Sequence, residues 1–293
     1  MKYHVPVLLN EVVAYLHPEP GQVIADCTAG TGGHSMEIAE KVSPSGRVIM
    51  IDVDEEALKI AEKRLSDFPN IHIFAESYTR LPEILNHLGL PGVDGLLYDF
   101  GVSSLQLDRA ERGFSFSRSG PLDMRMNPTE DTLTAYTVVN EWPEEKLREI
   151  IQRYSDERRA GRIAARIVST RQEAPIRDTG ELARIICKAS GPGRQRIHPA
   201  TRTFQAIRIA VNREKENVTR ALETGFPVLK KSGCLTALSF HSMEDRIVKT
   251  FMRKTASEGK AEILTRKPVR PSEAEIQTNP RSRSVKLRAL RKQ

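Results

Sequence analysis

The sequence predicts an α/β protein, a doubly wound parallel sheet interrupted by an all-helical insertion. Three observations carry this. Between residues 22 and 100, four short apolar runs alternate with helical patterns, in β-α units of roughly 25 residues each. Between 101 and 217 the alternation stops, and from 144 onward apolar residues recur at helical spacing. At 233–240 a buried-type strand returns with Leu235, Ala237 and Leu238. A Rossmann-like sheet domain over 1–106 and 218–293, with an insertion over 107–217 after its fourth strand, accounts for all three.

The elements follow in order. Val7, Leu8, Val12, Val13 and Leu16 mark a helix opened near Asn10-Glu11 and ended by Pro18 and Pro20-Gly21. The first strand is 22–28. A glycine turn leads to a helix over 34–41, and Pro44-Ser45-Gly46 turns the chain into a second strand at 47–53. A helix over 54–65 buries Ala57, Leu58, Ala61 and Leu65. The third strand is 71–75, a helix spans 81–88, and Pro91-Gly92 precedes the fourth strand at 94–100. In the insertion, Leu147, Ile150, Ile151 and Tyr154 mark one helix. Ile163, Ala164, Ile167 and Val168 mark another. A third, with Leu182, Ile185 and Ile186, is capped by Thr179 and broken by Gly191-Pro192-Gly193. Phe204, Ile207 and Val211 mark a fourth. The tail over 263–290 has weak strand signals and many prolines, and no element is assigned to it.

Composition bounds the function. The chain has 293 residues, 28% charged and 39% hydrophobic, with no apolar run of membrane-spanning length. Cys27, Cys187 and Cys234 form no C-x-x-C pair, which predicts a reducing, cytoplasmic setting and no zinc site. Met1-Lys2-Tyr3-His4-Val5-Pro6 lacks a signal-peptide shape. The net charge of +7 is uneven: residues 144–217 hold 17 Lys/Arg against 10 Asp/Glu, and 279–293 hold six basic residues and no acid. Such local excess suits a phosphate-rich partner, or simply solvated helix faces and a frayed tail.

The candidate site starts in the first β-α turn, Asp26-Cys27-Thr28-Ala29-Gly30-Thr31-Gly32-Gly33-His34-Ser35. It is neither G-x-G-x-x-G nor a Gly-Lys-Ser/Thr phosphate loop. It is similar to the first motif of S-adenosylmethionine (SAM) methyltransferases, in which glycines let the backbone approach the cofactor. Ligands of doubly wound sheets lie beyond the carboxyl ends of the strands. Those ends carry Asp26 to Gly33, Asp52, Ser77-Tyr78 and Asp99. Asp52, 20 residues after Gly32, suits a ribose diol, whereas Asp54 suits a helix start. Tyr78 is either a core aromatic or an adenine contact. Asp99 either accepts a hydrogen bond from an exocyclic amine under attack or only holds the loop and cofactor. Arg112-Gly113-Phe114-Ser115-Phe116 offers a cation and two aromatics to clamp phosphate and stack an extruded base, or else a core pair. His241 and Glu244, at i and i+3, are two possible metal ligands, too few for a site, or a helix start with Ser242 as cap.

Longer stretches resemble one family nearly end to end. They are His4 to Val12, Asp26-Cys27-Thr28 with Gly32 to Ser35, Gly101-Val102-Ser103-Ser104 with Gln106-Leu107-Asp108, Arg112 to Phe116 and Pro121 to Met126. His198 to Ala206, Ser239 to Val248 and Asn279 to Ser284 belong to the same set. The chain resembles the bacterial 16S ribosomal RNA cytosine-N4 methyltransferases. The resemblance implies a class I SAM methyltransferase sheet, cytoplasmic location, SAM as methyl donor with no metal, and as substrate a decoding-region cytidine in small-subunit rRNA or the 30S particle. It implies SAM contacts at Gly32, Gly33, His34, Asp52, Tyr78, Asp99 and Gln106. RNA recognition falls to the insertion, and Arg112, Phe114, Phe116 and His241 are substrate candidates. Tyr78 stands where phenylalanine is frequent, and Phe100 and Met243 where leucine is usual. No proline-proline-aromatic motif follows Asp99.

Overall fold

The computed structural model describes residues 5–191 and 197–293. His4 and Pro192-Gly193 lie outside the described residues. The chain divides into two compact units, Met1–Gly101 with Lys215–Gln293, and Val102–Glu214. The helical unit thus begins five residues before the expected 107 and ends three before 217.

In chain order the first unit opens with α1 (Leu9–Leu16), β1 (Val23–Asp26), α2 (Gly33–Val42), β2 (Arg47–Asp52), α3 (Glu55–Arg64), β3 (Ile71–Ala75), α4 (Leu81–His87) and β4 (Val93–Asp99). The helical unit holds α5 (Ser104–Asp108), α6 (Ala135–Glu141), α7 (Glu144–Ser155), α8 (Ala160–Glu173), α9 (Thr179–Ser190) and α10 (Ala200–Val211). The chain then runs through α11 (Glu214–Val228), β5 (Leu229–Ser239), α12 (Ser242–Ser257), β6 (Ala261–Ile263), α13 (Glu273–Thr278) and β7 (Lys286–Lys292).

The sheet has seven strands in the order β3-β2-β1-β4-β5-β7-β6. The first five are parallel, and β7 pairs antiparallel to both β5 and β6. Strand order reverses between β1 and β4, so a crevice opens at the carboxyl ends of those two strands. Both faces are covered, which is why β1 and β2 read as continuous apolar runs rather than alternating ones. Val48 and Met50 pack with Ile24, Ile38 and Ala61 on one face. Ile49 and Ile51 pack with Leu96, Leu81 and Leu222 on the other.

The tail that had no sequence assignment forms β6, α13 and β7. In β7, Leu287 and Ala289 join one core while Leu290 joins the other. Its basic residues are largely consumed inside the fold. Lys286 Nζ and Arg288 Nε donate to Asp245 at 2.8 and 2.7 Å, and Lys292 Nζ donates to the carbonyls of Phe226, Pro227 and Leu229. The frayed basic tail of the sequence reading is therefore a paired strand.

The helical unit builds its own core from the predicted stripes. Leu147, Ile150 and Ile151 of α7 pack with Ile163, Ala164 and Ile167 of α8, Leu182 and Ile186 of α9, and Phe204 and Ile207 of α10. One cap differs from expectation. Asp178 caps α9 by accepting from Glu181 N at 2.9 Å, while Thr179 is the first helical residue and its hydroxyl accepts from Gly120 N. A carboxylate at that position also complements the positive helix end.

Candidate active site

Three acids end three adjacent parallel strands. Asp26 closes β1, Asp52 closes β2 and Asp99 closes β4. Asp26 is almost fully buried. Its carboxylate accepts from Ser35 Oγ at 2.6 Å and from Thr28 N at 3.2 Å, tying the strand end to the first turn of α2. Burial pushes its pKa up to about 6 against those two bonds. Asp52 accepts from Gly30 N at 2.8 Å through one oxygen and from Asp54 N at 2.9 Å through the other. Burial again dominates and raises it to about 6. Asp54 is the helix cap, accepting from Glu56 N and Ala57 N of α3.

Asp99 is held through its backbone, whose N–H donates to Thr28 Oγ1 at 2.6 Å. Its side chain keeps 23% of its surface open, yet Oδ1 is enclosed and has no hydrogen-bond partner among the described residues. Oδ2 lies 3.9 Å from His34 Nδ1. His34 Nε2 donates to the Val7 carbonyl at 3.0 Å, so Nδ1 carries no proton in the neutral ring. Burial lowers the His34 pKa to about 4, and the imidazole brings Asp99 no positive charge. Desolvation, with Asp26 and Glu244 adding repulsion, lifts Asp99 to about 8.

The arrangement is a buried cluster of carboxylates short of cations, at the crevice where a doubly wound sheet takes its ligand. A ligand carrying positive charge and a ribose fits it. The charge relieves the desolvated acids, and the diol suits a carboxylate at the end of β2. SAM has both features.

Tyr78 lies in a 3-10 turn after β3, edge-on to Tyr98 and Phe100 with ring centroids 6.2 and 6.1 Å away. Glu244, read from the sequence only as a possible metal ligand beside His241, is fully buried. It accepts from Phe240 N at 2.8 Å, and its other oxygen lies 2.9 Å from His241 Nε2. His241, rather than Ser242, is the N-cap of α12.

The glycines divide the turn in an unexpected way. A Cβ on Gly32 would strike Leu65 and crowd Ala61 of α3, and one on Gly33 would meet Pro6 at 3.0 Å. At both positions the absence of a side chain lets protein pack on protein. A Cβ on Gly30 would meet nothing within 4 Å. Gly30 therefore borders open space, and it is the glycine the sequence reading left out of the site.

In the helical unit, Gln106 is buried on α5 and completes a capping box with Ser103. Its expected cofactor role rests on the resemblance. Arg112 Nη2 donates to the carbonyls of Arg125 and Met126 at 3.2 and 3.0 Å, and Phe114 is buried in the core of this unit. Both serve the local fold here. A ring packed on all sides has no free face for a base, and Gly113-Phe114 folds inward against 121–124. Phe116 is half-buried, stacked on His198 at 4.5 Å and edge-on to Phe204 at 4.9 Å.

A model of the MraW methylase family matches residues 1–293. The chain belongs to the MraW methylase family. This methylase is 44% identical over 304 residues to the Ribosomal RNA small subunit methyltransferase H of Caldicellulosiruptor bescii, covering 99% of each chain. It is 48% identical over 291 residues to the protein of the same name from Fervidobacterium nodosum, covering 98% of this chain and 96% of that one. Among solved structures, a Clostridium thermocellum chain described as a candidate rRNA-methylase superposes with a TM-score of 0.50 at 12% identity, over 99% of this chain and 100% of that one, a likeness of fold alone. The protein is an enzyme, a SAM-dependent methyltransferase.

For this methylase the two glycines separate by experiment. Gly32→Ala forces a side chain onto φ +79° and into Leu65, and is expected to destabilise the fold by about 2 kcal/mol or more in urea denaturation. Gly30→Ala, at φ +51° with space around it, is expected to cost about 1 kcal/mol of stability while weakening SAM binding measured by calorimetry. Equal SAM affinity in Gly30→Ala and the wild type would remove Gly30 from the cofactor site.

Proposed function

We propose that this methylase transfers the methyl group of SAM to the exocyclic N4 amine of a cytidine in small-subunit ribosomal RNA, with Asp99 as the residue that faces the amine. The observation that carries the reading is the Asp99 carboxylate, with Oδ1 buried and unpartnered beside the switch point of the sheet. The relatives aligned over nearly the whole chain, which are ribosomal RNA small subunit methyltransferases by name, support the RNA class. The basic excess over 144–217 supports a role for the helical unit in gripping RNA or the assembled 30S particle.

SAM supplies an electrophilic methyl on a cationic sulfur. The protein's residues do the rest. Gly30 N–H and Asp54 N–H each fix one Asp52 oxygen at the end of β2, and the remaining lone pairs of that carboxylate would accept from a ribose diol. Gly32, Gly33 and His34 shape the turn, and Tyr78 supplies the aromatic wall for adenine. Asp99, raised by desolvation in the ligand-free site, would be held in its ionised form beside the sulfonium of bound SAM, since an opposite charge nearby favours the carboxylate. Ionised Oδ1 then accepts an N4–H bond. This would align the nitrogen lone pair with the methyl and leave a carboxylate to take the proton that the amine sheds as the C–N bond forms and the methyl–sulfur bond breaks, its electron pair staying on the departing thioether. Thr28 holds the Asp99 backbone and sets its position. In the helical unit, Phe116 is the residue proposed to present an aromatic face to RNA, and His241 caps the helix after β5 at the ligand edge.

Purified protein is incubated with methyl-labelled SAM and small-subunit rRNA or particles lacking the modification, and the RNA is digested to nucleosides. Label is expected in N4-methylcytidine. Absence of transfer to any such substrate, or label found only in protein, overturns the proposal.

A further inference from the structure

Far along α12 from the candidate active site, a recess of about 370 Å³ opens between that helix and the C-terminal strands. Its charged lining is Lys249, Arg253, Arg266 and Arg288, with no acid. Lys249 and Arg253 are one turn apart on the same face of α12, and their side chains, like that of Arg266, have no carboxylate partner among the described residues. Arg288 is buried, and its Nε is anchored on Asp245 at 2.7 Å. Asp245 is shared with Lys286 at 2.8 Å, so one carboxylate serves two cations. Thr265 clips the segment carrying Arg266 to β7 through its hydroxyl, which accepts from Ala289 N at 2.9 Å. The position of Arg266 is therefore set by the sheet and not by a loose loop.

Lys249, Arg253 and Arg266, three cations without a carboxylate partner among the described residues, share the recess with Arg288. Asp245 only partly offsets the Arg288 charge because it also serves Lys286, and an anion relieves the repulsion among the cations. A guanidinium held at its base by a carboxylate is also pre-oriented, which suits phosphate oxygens. At about 1.5 Å per residue, Lys249 lies about 10 Å and Arg253 about 16 Å along α12 from Ser242, which follows the carboxyl end of β5. An open recess with several cations, two of them spaced along α12 away from the cofactor edge, fits a polyanion better than a compact phosphate.

We propose that this recess is a phosphodiester-binding site that holds the backbone of the substrate RNA outside the catalytic crevice. It rests on the reading of RNA as the substrate, and it assigns part of the RNA grip to the sheet unit rather than to the basic helical unit. The sequence pattern alone pointed to 144–217 and to the tail.

The test uses the full chain and needs no catalysis. Binding of a single-stranded RNA oligomer containing the target cytidine is followed by fluorescence anisotropy from low to moderate salt. The variant Lys249→Ala/Arg253→Ala/Arg266→Ala is compared with the wild type and with a control, Lys41→Ala/Lys59→Ala/Lys63→Ala, on α2 and α3. The recess variant is expected to bind RNA roughly tenfold more weakly or worse at low salt and to flatten the log-log salt slope by about 2. SAM affinity is unchanged, showing that the fold is intact, and the control keeps the wild-type slope. Wild-type RNA affinity and slope in the recess variant overturn the proposal, as does a control that loses as much. Inorganic phosphate is the other arm. Thermal protection by phosphate that disappears in the recess variant while RNA binding stays unchanged makes this a small-anion site and overturns the RNA assignment. Failure of the wild type to methylate RNA that it still binds through the recess counts against the proposed reaction and leaves the recess standing.

Discussion

Asp99→Asn is expected to lower kcat/KM for methyl transfer about 10²- to 10⁴-fold, the range spanned by a positioned proton acceptor. Asparagine keeps the shape of the side chain but cannot accept the proton that the amine sheds. The backbone link from Asp99 N to Thr28 Oγ1 is untouched by the change, so the strand end stays in place. The same variant is expected to raise the stability of the ligand-free enzyme at pH 8, because it removes a carboxylate that the fold desolvates next to Asp26 and Glu244. A drop in activity combined with a gain in apo stability is the signature of a functional acid held at a structural cost. Methylation at the wild-type rate would show that Asp99 takes no part in the chemistry. Lost SAM binding with normal single-turnover transfer at saturating SAM would make it a cofactor ligand only.

The second large effect is on pH. Asp99 is raised to about 8, and Asp26 and Asp52 to about 6, against an ordinary aspartate near 4. Each binds its proton more tightly in the folded apo protein than in the unfolded chain. Their contribution to stability is therefore complete below pH 4 and is lost as pH rises, first through 6 for Asp26 and Asp52 and then through 8 for Asp99. Considering these groups alone, apo thermal stability declines from pH 5 to pH 8.5. Cofactor binding runs the other way. A cationic ligand needs the carboxylates ionised, so SAM affinity is expected to rise about tenfold per pH unit between 6 and 8 and to level off above 8. Calorimetry in buffers of different ionisation enthalpy should register about one proton released per SAM bound near pH 7. In Asp99→Asn that release and most of the slope should vanish. A SAM affinity independent of pH from 6 to 8 would show that these acids are not linked to the cofactor.

The strand-end acids were readable because they depend on local pattern. A parallel strand covered on both faces is a short apolar run, and the first polar residue after it stands at the ligand edge. Asp26, Asp52 and Asp99 each satisfy that rule. Thr28 and Ser35 carry no assigned role in the sequence although both lie in the glycine turn, and Glu244 reads there only as a possible metal ligand. Their roles are bonds to partners 71, nine and four residues away, and only the first spans more than a local turn. A polar residue on the second position after a strand-end acid, facing the next strand, is the available signal for Thr28.

The Arg112 to Phe116 segment shows the limit most clearly. A cation, two aromatics and small residues spell either an RNA clamp or an inward-folded loop. The difference is whether Met124, Leu122 and the helical core close over Phe114, which they do. The same holds for the glycines: composition shows that Gly30, Gly32 and Gly33 make a tight turn, but not which of them borders Leu65, Pro6 or open space.

By itself, then, the sequence determined the α/β alternation, the interruption by helices, the acids at the strand ends and the uneven charge. All of these are periodicities or neighbours within a few residues. Tertiary structure alone decided that the proline-rich tail becomes β7 beside β5, that one oxygen of Asp99 is left without a partner, and that Lys249, Arg253, Arg266 and Arg288 surround one recess. Each of these is set by groups far apart in the chain. Desolvation, hydrogen-bond satisfaction and charge repulsion depend on what lies within a few ångströms in space, and only the packed fold brings those groups together.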